Sequence, residues 1–216
     1  MYEAGISRRA RNELASLNRI FLELLAKSAK PDSLPADCGM GLSADLLRRI
    51  SVLDSDSFDH IASCPFSLCS YGFHDLEAWH ALLRKQVREL DPISSVGSGN
   101  NTRMQFVIMS LTVVRELAAN ETHAAALFFG MPRELGESFA QLDLAQLPFV
   151  ASSAITKMHA RLARNPRFWA ELIGASADHS TLRLGVARAL GVQLTLQRAL
   201  QLTGCRLGGG RLYRRL

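Results

Sequence analysis

The sequence predicts an all-α protein in which one small helical module is used twice, and three observations predict it. Apolar residues recur at spacings of three and four through most of the chain, the helical period. A set of residues returns at a constant offset. Gly41-Leu42-Ser43, Leu46, Ile50, Leu53-Asp54, Phe58, Ile61 and Ser63 reappear as Gly130-Met131-Pro132, Leu135, Phe139, Leu142-Asp143, Leu147, Val150 and Ser152. The offset, about 89 residues, is longer than the roughly 20–50 of solenoid repeats. Upstream, Ile20, Leu22 and Leu25 correspond to Met109, Leu111 and Val114. Downstream, with one slipped residue, Trp79 corresponds to Trp169, and the chain has no other tryptophan. Third, a stretch of linker composition separates the copies. Two fused modules imply a pseudo-dimer within one chain, an architecture suited to binding partners.

The elements follow in order. Residues 8–29 read as a long helix. Leu14, Leu17, Phe21, Leu24 and Leu25 form a narrow stripe that suits packing against a second copy of itself. Pro31 and Pro35 end it, with Asp32-Ser33 as turn chemistry. Ser43 is a good N-cap for a helix over 44–53 with Leu46, Leu47 and Ile50 inward. Asp54-Ser55-Asp56 breaks the chain and caps a helix carrying Phe58, Ile61 and Ala62. Residues 65–71 are loop or short extended chain. Leu76, Trp79, Leu82, Leu83 and Val87 mark another amphipathic helix. Residues 91–101 are the linker.

Thr102 can cap the next helix, where Phe106, Met109, Val113, Val114 and Leu117 repeat the first stripe. Short helices follow over about 132–141 and 144–151. A basic helix is expected over about 153–164, with Ile155, Met158 and Leu162 inward and Lys157, Arg161 and Arg164 outward. Beyond about residue 175 the repeat ends. Leu182, Val186 and Leu190, then Leu194, Leu196 and Leu200, suggest two helices meeting at Gly191. That pair is either a helix-turn-helix or an ordinary helical hairpin. Gly208-Gly209-Gly210 precedes a basic tail with one aromatic, Tyr213, which suits tracking phosphates or simply ending the chain. The expected division is a first module over 1–91, a linker over 92–103, a second module over 104–175 and a basic extension over 176–216.

Composition narrows the function. No apolar run approaches the roughly 20 residues of a membrane helix. The arginines at the N-terminus have no apolar signal core behind them, so a cytoplasmic location is expected. Cys38, Cys64, Cys69 and Cys205 are too few and scattered for a disulfide scaffold. Cys64 and Cys69 lie near His60 and His74, so a metal site or a disulfide has to be weighed. The second copy places Ser153 and Ala154 there, which favours small buried hydrophobes instead. No metal and no cofactor are expected.

Charge is unevenly distributed. Residues 157–216 carry eleven Lys/Arg against two acids, whereas residues 1–156 carry 14 basic and 18 acidic residues, a net of −4. Ten of those eleven are arginine, whose guanidinium fork suits phosphates and base edges. This is the footprint of a nucleic-acid contact, with a solvated helix face as the plainer alternative.

Catalytic constellations are not evident. Gly97-Ser98-Gly99 and Gly208-Gly209-Gly210 lack the Lys-Ser/Thr of a phosphate loop. His60 beside Asp56 or Asp59 could relay a proton, but Asp-rich helix starts are explained by capping and the helix dipole. Asp54, repeated as Asp143, reads as a cap in both copies. The chain is not expected to be an enzyme.

Leu17-Asn18, Leu22, Leu24-Leu25, Gly41-Leu42-Ser43, Leu53-Asp54, Phe58 and Ile61, ending in Cys69 and Phe73-His74-Asp75, together resemble the FlhD family, the D subunit of the bacterial flagellar master transcriptional activator. The resemblance covers roughly residues 14–85 and, more faintly, 104–174. It departs from the family in having two modules for one, no cysteine in the second copy, and an extension without counterpart. It implies an all-helical dimeric fold and action on promoter DNA beside a zinc-bearing C subunit. It also implies that Cys69 stands at the family's closing cysteine, which can join two subunits.

The expected function is therefore a transcriptional regulator that binds promoter DNA together with an FlhC-like partner. Arg161, Arg164, Arg183, Arg188, Arg198, Arg211, Arg214 and Arg215 are the expected phosphate contacts. Leu14, Leu17, Phe21, Leu24, Phe106, Val113 and Leu117 are the expected seam between modules. The alternative is a regulatory adaptor that binds another transcription factor through its helical surface and never touches DNA.

Overall fold

The computed structural model describes residues 7–29, 40–86 and 102–202, excepting the side chains of 85–86 and 198–202. These residues are mostly helical, with a single two-stranded ladder. Helix α1 (Arg8–Ser28) starts at Ser7, whose hydroxyl accepts from the Ala10 N–H at 3.1 Å. Its apolar stripe is buried from Ala10 through Leu25. Helix α2 (Ala44–Ser51) is capped by Ser43, which accepts from the Leu46 N–H at 3.3 Å. Helix α3 (Ser55–Ala62) is capped by Asp54, which accepts from the Ser57 N–H at 2.7 Å. Strand β1 (Cys69–Ser70) and helix α4 (Leu76–Gln86) follow.

Helix α5 (Thr102–Asn120) opens the second half, so helix begins inside the segment expected as linker. Then come α6 (Thr122–Phe129) and α7 (Arg133–Ala140). A 3₁₀ turn, Leu144–Gln146, leads into α8 (Leu147–Ala154), and the Gln146 side chain accepts from the Asp143 N–H at 2.9 Å. Strand β2 (His159–Ala160) precedes α9 (Pro166–Ala177), which Asn165 caps through the Phe168 N–H at 3.2 Å. Helix α10 (Thr181–Leu202) ends the described chain.

Helices α1 and α5 lie side by side and antiparallel. The Ser7 N–H at the start of α1 donates to the Glu121 carboxylate beyond the end of α5 at 3.1 Å, and Phe21 stacks on Phe106 with ring centroids 5.7 Å apart. On α1 sit α2 and α3; on α5 sit α7 and α8. The tryptophan-bearing helix of each half crosses over: α4 packs on α7 and α8, and α9 packs on α2 and α3. Between them β1 and β2 pair antiparallel, Cys69 opposite Ala160 and Ser70 opposite His159. Trp79 and Trp169 are fully buried. Each indole N–H donates to a carbonyl eight residues upstream, Tyr71 at 3.3 Å and Arg161 at 2.9 Å. One apolar core runs through both halves.

Asn18, in the middle of the α1 stripe, is also buried. Its amide donates to the Ala62 and Phe66 carbonyls (3.1 and 3.0 Å) and accepts from the Leu68 N–H (2.8 Å). One backbone group at the end of α3 and two in the loop into β1 are thereby satisfied away from water, where each would otherwise be costly.

Two expectations are corrected, and one helix is added. The basic helix over 153–164 does not form. The chain leaves α8 through a 3₁₀ turn, Ile155–Lys157, and enters β2, because extended backbone there finds tertiary partners. The Ala160 N–H donates to Met40 O and the Arg161 N–H to Leu68 O, both at 2.7 Å. The break at Gly191 is absent too, since α10 runs through it as one helix and no helix-turn-helix forms there. Its glycine serves close approach: a Cβ there would lie 2.4 Å from the Phe66 ring and 2.7 Å from Phe168. Finally, α6 was not foreseen. Its sequence, THAAALFF, is polar only at its first two residues and so shows no amphipathic period, and Ala124, Ala125, Phe128 and Phe129 are all buried.

Candidate nucleic-acid and partner interface

The expected DNA arginines are scattered by the fold, and most of those described have work within the chain. Arg161 is 8% exposed. Its Nη1 donates to the Phe128 carbonyl at 2.6 Å, and its guanidinium carbon lies 5.6 Å from the centre of the Phe66 ring. Gly130, with φ at 63°, makes the room: a Cβ there would sit 2.4 Å from Arg161 Nη2. Arg161 is therefore not an outward phosphate contact. The turn that replaced the expected helix points it into the protein, where a guanidinium can satisfy a carbonyl and stack on a ring at once.

Arg183 is exposed at the start of α10 but pairs with Asp178 and, at 3.6 Å, with Glu171. Arg188 reaches from α10 to the His60 carbonyl and the Ser63 hydroxyl, fastening α10 to the end of α3. Arg164 is exposed, and so is Arg167 on the first turn of α9. Arg198 lies on α10 with its side chain outside the described set. Arg211, Arg214 and Arg215 lie outside the described residues altogether. Of the expected arginines whose side chains are described, Arg161, Arg183 and Arg188 thus have partners within the chain.

The seam residues are in the core. Leu14, Leu17, Phe21, Leu24, Phe106 and Leu117 are buried, and Val113 is half-buried. The structure joins Phe21 to Phe106 directly across α1 and α5.

Cys64 and Cys69 are free thiols, both buried. Burial pushes the Cys64 thiol up to about 12 and raises Cys69 as well. Across the ladder Cys69 faces Ala160, so no thiol lies opposite it in the strand pair. Cys38 and Cys205 lie outside the described residues. Among the described residues no three His, Cys, Asp or Glu side chains gather as a metal site, and no helix is long and apolar enough to cross a membrane. His60 meets His179 edge-on with centroids 5.8 Å apart, and His179 Nε2 lies 3.6 Å from Asp54.

Two surface concavities border α10. One, of about 560 Å³, lies between α1, the loop 63–66, α6 and the far half of α10, and is lined by Leu14, Phe66, Leu127, Phe128, Val192 and Leu196. The other lies between α9 and the near half of α10, with Leu182 and Val186 beside Arg167, Glu171 and Arg183. Pattern reading missed the packing roles of Asn18 and Arg161. Asn18 left a trace, a polar residue inside an apolar stripe. Arg161 left none, because its register depended on a helix that does not form. Compared with known protein families, with curated proteins and with solved structures, the chain matches none.

Proposed function

We propose that this chain is a subunit of a transcription-regulating complex, made of two FlhD-like modules fused into a pseudo-dimer, whose folded body holds protein partners. The observation that carries the reading is the exchange about the β1–β2 ladder. Each half lends its tryptophan-bearing helix to the other, as two subunits of an intertwined dimer would. The repeated residues at a constant offset support the same origin for both halves. Fusion holds the modules at an effective concentration of roughly millimolar, so pairing does not depend on chain concentration. An FlhC-like subunit is the partner the resemblance suggests.

In this reading, contact with promoter DNA falls chiefly to the arginines at the end of the chain, with Arg164 contributing from the body. A second reading, an adaptor that never touches DNA, is favoured by the internal partners of Arg161, Arg183 and Arg188. The test is duplex-DNA binding over a salt series, by the full chain and by a chain ending at Leu202, each with and without an FlhC-like subunit. The shorter form keeps α10, which the packing of α9 requires. We expect steeply salt-dependent binding by the full chain that weakens on truncation, because released counterions set the slope. We also expect both forms to hold the subunit. Equal DNA binding by both forms would move the DNA surface into the body. No DNA binding with the subunit still held would leave the adaptor. Failure to hold the subunit would remove the FlhD-like reading.

A further inference from the structure

We infer that the outward face of α10 is a self-association surface, along which a second copy of this chain packs α10 against α10, parallel and in register. The inference does not depend on any contact with DNA. Helix α10 has two apolar faces. Leu184, Ala187 and Gly191 are buried against the body. On the opposite side, Leu182, Val186, Ala189, Gln193 and Leu196 are all exposed, at spacings of four, three, four and three. Leu182 is 79% exposed, Val186 64% and Leu196 46%. A helix lying on a protein surface ordinarily turns charge to water, and this one turns a strict heptad seam.

The seam suits its own copy. No seam position is charged, so nothing on it calls for a partner of opposite sign. The flanking charge on the helix itself, Arg183, is matched within its own chain by Asp178 and Glu171, which lowers repulsion between two copies. Ala189 in the seam and Gly185 beside it, with nothing within 4 Å of a built Cβ, let two helix axes come close. Gln193 fixes the orientation. In a parallel two-fold pair it meets Gln193 of the other copy, and the two amides can donate and accept reciprocally. In an antiparallel pair it would face Val186 and lose its partner. A single polar residue in a seam sets register at some cost in affinity. The helix is already ordered on α9, so pairing carries no cost for forming it. Two heptads make a small interface, so the association should be weak and concentration-dependent.

The test is sedimentation equilibrium of the full chain from about 1 to 100 µM, beside Val186→Asp and Gln193→Lys. We expect a concentration-dependent dimer, with at least a tenfold weaker association in each variant. Thermal unfolding of each variant, taken at a concentration where the wild type is monomeric, should match the wild type because both residues are exposed. Gln193→Lys reads orientation: in register, two lysines oppose each other, whereas an antiparallel pair would set each beside a valine. A monomer throughout, or a dimer that Val186→Asp leaves intact, would overturn the inference. A dimer lost in Val186→Asp but kept in Gln193→Lys would overturn the parallel register.

Discussion

A Cβ added at Gly191 would meet the rings of Phe66 and Phe168 inside 3 Å, whereas one added at Gly185, six residues earlier on the same helix, meets nothing within 4 Å. The two glycines separate packing from helix propensity. Gly191→Ala must push α10 off α9 and should cost about 2 kcal/mol, the scale of overpacking a filled core. Gly185→Ala should gain up to about 1 kcal/mol, because alanine is the better helix former and the space is open. Urea midpoints measure both, and a gain in both variants would show that α10 is not held at Gly191. The same residue shows where sequence reading runs out. Glycine marks turns and close approaches alike. The apolar pattern on either side of Gly191 fitted two helices as well as one, and only the aromatic rings opposite it, distant in sequence, decide. Arg161 failed for a related reason. Its charge was legible, but its direction followed from a pairing between β1 and β2 that no local pattern encodes.

At the scale of elements, the legible features were the local ones. Ser43 and Asp54 announced the starts of α2 and α3 because a side-chain oxygen three residues before an orphan N–H needs nothing from the rest of the fold. Strands of two residues cannot announce themselves, and neither can α6, whose polar residues are confined to its first two positions. The Asp54 cap gives a pH test. Its carboxyl is held below its usual 3.8, chiefly by the Ser57 N–H, then by the Ser57 side chain, against an opposing effect of desolvation, with His179 and His60 adding lesser contributions. A carboxylate with a lowered native pKa contributes its full stabilisation above the unfolded value. That contribution is lost as pH falls through the native one. Urea midpoints of the wild type should therefore fall more steeply below about pH 4 than those of Asp54→Asn, which keeps the cap without the charge. Parallel slopes would mean that the carboxylate at Asp54 adds nothing to its cap.

For the whole molecule, periodicity told which faces are buried but not against what. The stripes of α1 and α5 were visible in the chain, and so were the two tryptophans. The exchange of α4 and α9 between halves was not, because it concerns the destination of a face and not its existence. That exchange has a consequence for folding. Trp79 rests against Phe139 of the other half, centroids 5.5 Å apart, and Ser57 and Ser176 exchange hydroxyl-to-carbonyl hydrogen bonds at 3.2 and 2.7 Å across α3 and α9. Neither half closes its own core. The full chain should therefore unfold in one calorimetric transition whose van't Hoff and calorimetric enthalpies agree. Residues 1–91 and 102–216, made as separate chains, should each lack a cooperative transition of a folded monomer and should regain the native one on mixing. The first piece has one further route open, since its β1 could pair with β1 of another copy in place of β2, so its association state must be measured beside its melting. Two resolved transitions in the full chain, or a separately folded monomeric half, would mean that the exchanged helices are ornaments on two independent domains. A single transition restored only by mixing would make the ladder and its crossed helices the joint that turns two incomplete modules into one protein.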